Sequence, residues 1–276
     1  MKRSIILRYS KLLTVSILAF LWIAPVYIVF INAAKTTTEF NSSKFWQLPS
    51  DWAIFQNIKA VLIETDLGQA FINSILYGVL GAGIAILVAA LAAYALTNLK
   101  IKGGFYWFLL IYSGTLFPFQ MYLIPLFQFY SDTKLYNTFV GMLIFYIAIC
   151  IPFCLFVLRN FYSTFAKEIV EAAKLDGCSD LQIFVYMFLP QSVPPFLVLF
   201  LLQFTWVWND LLFGITLSQS DAVRPIMASL SSLNGLYSGT GMNTLLMGAL
   251  IASIPTLLLF FLLQKYFIKG MAINIK

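Results

Sequence analysis

Histidine is absent from all 276 residues. That removes the commonest general base and the commonest transition-metal ligand. Charge is nearly as scarce. Asp, Glu, Lys and Arg make up 10% of the chain, where water-soluble domains carry about 25%, so a soluble surface cannot be covered. No Gly is followed by Lys, which excludes the GxxxxGK[ST] loop that cradles nucleotide phosphates. The three cysteines, Cys150, Cys154 and Cys178, form no metal-like cluster, and no disulfide framework is expected of them.

What remains is apolar: 61% of residues are hydrophobic and the mean hydropathy is +0.88. Six charge-free runs stand out: Leu12–Ala34, Leu67–Leu99, Gly103–Ser131, Leu135–Leu158, Leu181–Asn209 and Pro225–Gln264. Each reaches the roughly 20 residues that a helical span needs. None alternates in polarity as barrel strands do. The expected fold is therefore an all-α integral membrane protein, one transmembrane domain over residues 1–276. Its six helices are placed at about 12–34, 70–97, 105–129, 138–158, 195–217 and 244–264. Basic residues precede the first run, but that run is too long for a signal-peptide core of about 7–15 residues, so a retained first helix is expected.

Lys and Arg set the orientation. With both termini inside, the inner segments hold Lys2, Arg3, Arg8, Lys11, Lys100, Lys102, Arg159, Lys167, Lys174, Lys265, Lys269 and Lys276. The outer segments hold Lys35, Lys44, Lys59, Lys134 and Arg224. Twelve against five places both termini in the cytoplasm. The same bias accounts for the net charge of +6 without nucleic acid.

Only Asp210 puts a charge inside an expected span. A membrane enzyme would need reactive groups gathered at one depth, and a proton-coupled carrier usually marks its relay with intramembrane ionisable residues. Neither pattern is present. Any energy for transport must then come from another subunit.

One polar element interrupts the apolar chain on the inner side, between helices four and five. Residues Ser163–Lys174 suit a helix, with Ser163 or Thr164 as N-cap and Glu171 placed to support Lys174 at i, i+3. Asp176-Gly177 stops it, since Gly takes the left-handed conformation that closes helix ends. Ser179 and Gln182 have the spacing of a capping box, and Pro190 forbids a helix much past Leu189. The result is a helix–turn–helix elbow with Ile169, Val170, Ala172, Ala173 and Leu175 on its apolar face. From physics alone it fits equally an amphipathic element on the inner leaflet or a docking site for a partner.

Glu171-Ala172-Ala173, three residues, Gly177, nine residues, then Met187-Phe188-Leu189-Pro190 resembles the EAA signature loop of ABC importer permeases. The family usually has Ile at the Met187 position and, in sugar-type members, Pro at the Ala166 position. Phe71-Ile72-Asn73-Ser74, Ala92-Ala93-Tyr94-Ala95-Leu96, Pro118 with Pro125 as interruptions of helix three, Trp208-Asn209-Asp210 and Lys265-Tyr266-Phe267-Ile268-Lys269-Gly270 are similar to carbohydrate-type members. The ending Ile273-Asn274-Ile275-Lys276 departs from that pattern. The whole resembles the smaller permease of the maltose/maltodextrin type.

The resemblance implies a permease subunit in a bacterial cytoplasmic membrane that imports a sugar or oligosaccharide. A polyamine or a phosphate-containing compound is the alternative solute. Expected partners are a homologous permease in a pseudo-two-fold heterodimer, two ABC ATPases, an extracytoplasmic solute-binding protein and membrane lipid. ATP and Mg would be bound by the ATPases, with no cofactor and no catalysis in this chain. The resemblance carries ATPase coupling onto Glu171, Ala172, Ala173, Asp176, Gly177, Leu189 and Pro190, within a loop at about 159–192. Asn73, Asn209 and Asp210 are candidates for the translocation path, although Asn209-Asp210 fits a helix-end cap equally well. The outer loop 218–243 resembles one that reaches toward the binding protein, and a solvated turn fits nearly as well.

Overall fold

The computed structural model describes residues 2–99, 101–233 and 241–272, with side-chain surroundings for residues 10–99, 101–233 and 241–265. Lys100, the stretch 234–240 of the outer loop and the ending Ile273–Lys276 lie outside the described residues, as do the side-chain surroundings of Tyr266–Gly270. Among the described residues every regular element is helical.

In chain order these are α1 (Lys2–Ala33), α2 (Thr37–Ser42) and α3 (Ile54–Lys59), which runs on as a π-helical turn Ala60–Glu64. Next come α4 (Leu67–Asn98), α5 (Gly104–Ser113), a 3-10 turn Phe119–Tyr122 and α6 (Leu123–Asp132). Then follow α7 (Phe139–Tyr162), α8 (Lys167–Leu175), α9 (Asp180–Gln191) and α10 (Val193–Trp208). The last are α11 (Leu212–Leu217), α12 (Ile226–Leu233) and α13 (Met242–Ala272).

Among the described residues four stretches are long and apolar enough to cross a membrane: Ser10–Ala33, Leu67–Asn98, Phe139–Tyr162 and Met242–Lys265. They match four of the six expected spans. A fifth arises if α9 and α10, which meet at 70°, count as one. The other expected helices are broken. Over 105–129 the interruption expected at Pro118 is present: α5 stops at Ser113, and Pro118 adopts ψ 132°, which no α-helix can pass through. Pro125 does not interrupt anything. It sits in the first turn of α6, where its missing N–H costs no helical bond. The span expected at 195–217 ends at Trp208 and restarts at Leu212.

The chain divides into two compact units, Met1–Gly68 with Leu230–Ile254 and Gln69–Ser229 with Pro255–Lys276. In the first, Thr36 caps α2 by accepting from the Glu39 N–H. The core of the second is built where α4 is thin. Ala89, Ala90 and Ala93 are wholly buried in a cluster with Leu155, Leu158, Tyr162 and Phe188. Small residues let membrane helices approach closely. A Cβ at Gly78 would stand 2.6 Å from the Phe204 ring, and one at Gly81 would meet Tyr146 at 3.2 Å. A Cβ at Gly83 would meet nothing within 4 Å.

Candidate functional site

α8 ends as its sequence dictates. Gly177 has φ +86°, the Cys178 N–H donates to the Ala173 carbonyl at 3.0 Å, and the Gly177 N–H donates to the Lys174 carbonyl at 3.1 Å. This pair of bonds closes the helix C-terminus around a left-handed residue. One residue on, the Ser179 side chain accepts from the Gln182 N–H while the Gln182 side chain accepts from the Ser179 N–H, so the capping box starts α9 as expected.

Two expectations need correction. α8 starts at Lys167 after Ala166, which offers no side-chain cap. Ser163 and Thr164 instead donate back to the Asn160 and Phe161 carbonyls, each at 2.7 Å, and so satisfy the end of α7. Lys174 does not serve Glu171. Its ammonium reaches across the corner to Asp180 at 2.8 Å, where Tyr94 also lies 3.5 Å away. The apolar face is largely open: Val170 is buried and Ala173 half-buried, while Ile169, Ala172 and Leu175 are exposed.

The elbow is thus rigid within and apolar without. Its inner side is seated on aromatic rings. Phe188 stacks on Phe165 at 4.5 Å and meets Tyr94 and Tyr162 edge-on at 5.0 and 5.1 Å. Its outer side leaves Leu175 89%, Tyr186 76% and Leu181 66% exposed. Glu171, Asp176, Gly177 and Pro190 are also exposed, and Leu189 is half-buried. Leu175, Leu181 and Tyr186 are large apolar side chains on one elbow whose exposure needs a reason.

A π-helical turn, Phe184–Phe188, lies just ahead of Pro190, whose ring would otherwise meet the carbonyl four residues back. α9 ends at Gln191, and the chain turns by 70° at fully buried Ser192. The Ser192 hydroxyl donates to the Phe188 carbonyl at 2.7 Å and lies 2.9 Å from the Tyr162 hydroxyl. Asp180, Tyr162 and Ser192 were not singled out by the sequence. Only Ser192, just after Leu-Pro and before two further prolines, carried a local signal of a bend.

The other candidates lie elsewhere in the same unit. Asn73 is buried, and its amide donates to the carbonyls of Ala222 and Arg224 at 3.1 and 3.2 Å, so it holds the 219–224 turn. Asn137, with φ +53°, grips that turn too: its Oδ1 accepts from Gln219 N at 2.8 Å and Ser220 N at 2.9 Å. The loop's first part is therefore tied down, with Val223 buried.

Asp210 is buried and caps α11, accepting from the N–H groups of Phe213 and Gly214. This geometry is that of a helix-end cap, one of the two readings of Asn209-Asp210. Asn209 is exposed beside it. Both line a cleft of about 870 Å³ with Phe119, Thr205, Trp206 and Phe260.

Residues 85–273 match the family model described as "Binding-protein-dependent transport system inner membrane component". The chain belongs to that family. It is 34% identical over 259 residues to the osmoprotective compounds uptake permease GgtD of Synechocystis sp., covering 92% of this chain and 87% of the relative. It is 31% identical over 271 residues to the lactose transport permease LacG of Rhizobium radiobacter, covering 98% and 96%. Among solved structures, a chain of a bacterial ABC transporter involved in import of the acidic polysaccharide alginate superposes with a TM-score of 0.80. That match has 25% identity and covers 95% and 96% of the two chains. The permease family is a transport component of the inner membrane and not an enzyme, and its members work with an ATPase and a binding protein.

Proposed function

We propose that this permease is one half of a pseudo-two-fold heterodimer that imports a sugar or oligosaccharide across the cytoplasmic membrane. It crosses six times, the broken α5–α6 and α10–α11 segments supplying the third and fifth passages, with both termini in the cytoplasm. The residues act as one transmembrane domain. The α8–α9 elbow lies on the cytoplasmic side and docks on one of two ATPase subunits, which bind ATP and Mg.

The observation that carries this reading is the elbow itself. It is braced by a left-handed Gly177, a capping box and the Lys174–Asp180 pair, yet it leaves Leu175, Leu181 and Tyr186 exposed. A rigid element with an apolar outer face suits a joint that receives force from a partner. Glu171 and Asp176 are exposed on the same elbow.

The sugar reading is supported by relatives named for lactose, alpha-glucoside and melibiose/raffinose/stachyose transport and by the alginate importer. The cleft at Asn209 offers rings at Trp206 and Phe119 beside an amide and the Thr205 hydroxyl, groups that accept a sugar's apolar face and its hydroxyls. An osmoprotective compound is the second reading, favoured by the relative at 34% identity.

The test is to purify the complex through this chain, identify its subunits, and screen its binding protein against sugars and osmoprotectants by thermal shift. ATP-driven uptake in proteoliposomes is expected only when the ATPase is present. Uptake by this chain alone would overturn the proposal.

A further inference from the structure

The segment that follows α1 is arranged with its polar groups inside and its rings outside. Asn32, Lys35, Asn57 and Asn243 are buried, Lys35 completely. The Lys35 ammonium donates to Asn32 Oδ1 at 3.1 Å and to the Lys44 carbonyl at 3.0 Å. The Asn57 amide donates to the carbonyls of Ala33 and Lys35 at 2.8 and 2.9 Å, and the Asn243 amide donates to Lys35 O at 3.0 Å. Over this knot, Phe45, Trp46 and Trp52 are 56%, 57% and 55% exposed, and Phe55 is 86% exposed. A surface meant for water has the opposite order.

The depth of these rings follows from how the segment is pinned to α1. The Asn32 amide donates to the Phe45 carbonyl at 2.6 Å, the Ala53 N–H donates to the Ala34 carbonyl at 2.8 Å, and the Trp52 ring lies 6.4 Å from that of Phe30. All three ties are to the last turn of α1 or just past it. The apolar window Ser10–Ala33 contains 24 residues. At about 1.5 Å per residue it spans roughly 36 Å, slightly more than the roughly 30 Å hydrocarbon layer. Its end therefore stands at headgroup level, and the rings stand with it. The Lys44 ammonium sits 5.5 Å over the Trp46 ring, which places a cation where lipid phosphates lie.

We propose that the segment 44–55 is an interfacial anchor whose partner is the phospholipid surface at the C-terminal end of α1. Trp46, Trp52 and Phe55 enter the headgroup–acyl boundary, where aromatic rings are favoured, and Lys44 meets lipid phosphate. The anchor fixes the depth of α1 and keeps the polar knot dry. Lipid is favoured over a docked protein because the rings continue the surface of a helix in which none of residues 10–30 is buried within the chain. The inference rests on α1 crossing the bilayer and is independent of what the elbow binds.

The test uses the purified complex in nanodiscs of phosphatidylethanolamine and phosphatidylglycerol. Exposed Cys178 is first replaced by Ser, leaving Cys150 and Cys154, which are buried. Nitroxide labels are then placed through Trp46→Cys, Trp52→Cys, Phe55→Cys and, as a water-facing control, Asn41→Cys on α2. Collision with oxygen relative to a soluble nickel chelate is expected to be severalfold higher at 46, 52 and 55 than at 41. Trp52 also touches Phe30, so positions 46 and 55 decide the outcome if that variant misfolds. Nickel access at 46 and 55 equal to that at 41 would show a surface facing water. Shielding from both probes would show a protein partner. Either result overturns the anchor.

Discussion

The Tyr146 hydroxyl donates to Asp210 Oδ2 at 2.8 Å across 64 residues of chain, and the same carboxylate accepts from the N–H groups of Phe213 and Gly214 at 3.2 and 3.0 Å. One side chain thus starts α11 and ties it to α7. It also explains why a span expected to be continuous can break at Asn209: the freed N–H groups are satisfied on the spot. Asp210→Ala leaves a buried hydroxyl and two N–H groups unpaired, at about 1–3 kcal/mol for each such group. The detergent-solubilised chain should melt several degrees lower, at roughly 2–4 °C per kcal/mol. Asp210→Asn keeps an acceptor and should lose less. Equal melting of the Ala variant and wild type would remove Asp210 from this role.

Gly177 separates backbone strain from surface clash. A Cβ there meets nothing within 4 Å, yet φ is +86°. The cost of another side chain is therefore conformational, about 1–2 kcal/mol, and smaller for Asn, which visits the left-handed region. Gly177→Val should insert normally but retain less ATPase in pull-downs and support less ATP-driven uptake, while Gly177→Asn should stay near wild type. Glu171→Lys, which reverses a charge on the exposed face, should behave like Val, and Asn41→Ala on α2 should be silent. Full ATPase retention by Gly177→Val would sink the docking role of the elbow.

Glu39 gives the segment after α1 a pH dependence. Its Oε1 accepts from the Ser50 N–H at 2.7 Å and the Ser50 hydroxyl at 2.8 Å. These bonds, helped by the Lys35 charge, hold its carboxyl below the ordinary 4.5. A depressed folded value means the stabilisation is complete above the unfolded value and is lost as pH falls from about 4.5 through the folded value. Protease nicking of residues 43–50 should therefore rise as pH drops into that window, and Glu39→Gln should nick readily at every pH. A wild-type profile as flat as that of Glu39→Gln would refute it.

What was legible in the sequence was local. Apolar run length located four long helices. The Gly177 stop and the Ser179–Gln182 box were read correctly because each is fixed by residues within a few positions. What was not legible is long-range or competitive. Ser163 and Thr164 are good N-caps in isolation, but the carbonyls ending α7 reached their hydroxyls first. Lys174 had Glu171 three residues away and chose Asp180, which the turn at Gly177 brings alongside. Asn73 binds backbone 149 residues later at Ala222, and no spacing rule reports that. Lys35 reads as an outer-loop charge, yet it is buried because Asn32 and the Lys44 carbonyl accept from its ammonium while Asn57 and Asn243 donate to its own carbonyl.

The last prediction concerns how the elbow could move the rest of the protein. Ser192 stands at the 70° turn between α9 and α10, fully buried, with its hydroxyl between the Phe188 carbonyl and the Tyr162 hydroxyl at the end of α7. If the elbow receives force from an ATPase, this contact decides whether α10 follows α9 as one body or bends behind it. Ser192→Ala keeps the backbone and the Phe188–Phe165 stack but unlatches Tyr162. The ATPase should stay bound, since the exposed face is untouched, while solute moved per ATP hydrolysed should fall. Coupling residues of this kind typically change linkage by about 0.5–2 kcal/mol, or roughly two- to thirtyfold in that ratio. Tyr162→Phe removes the same contact from the other side and should match it, whereas Ser192→Thr keeps a hydroxyl and should recover most of the ratio. A merely structural role would lower stability and uptake but leave transport per ATP unchanged in both variants, and that result would exclude the latch.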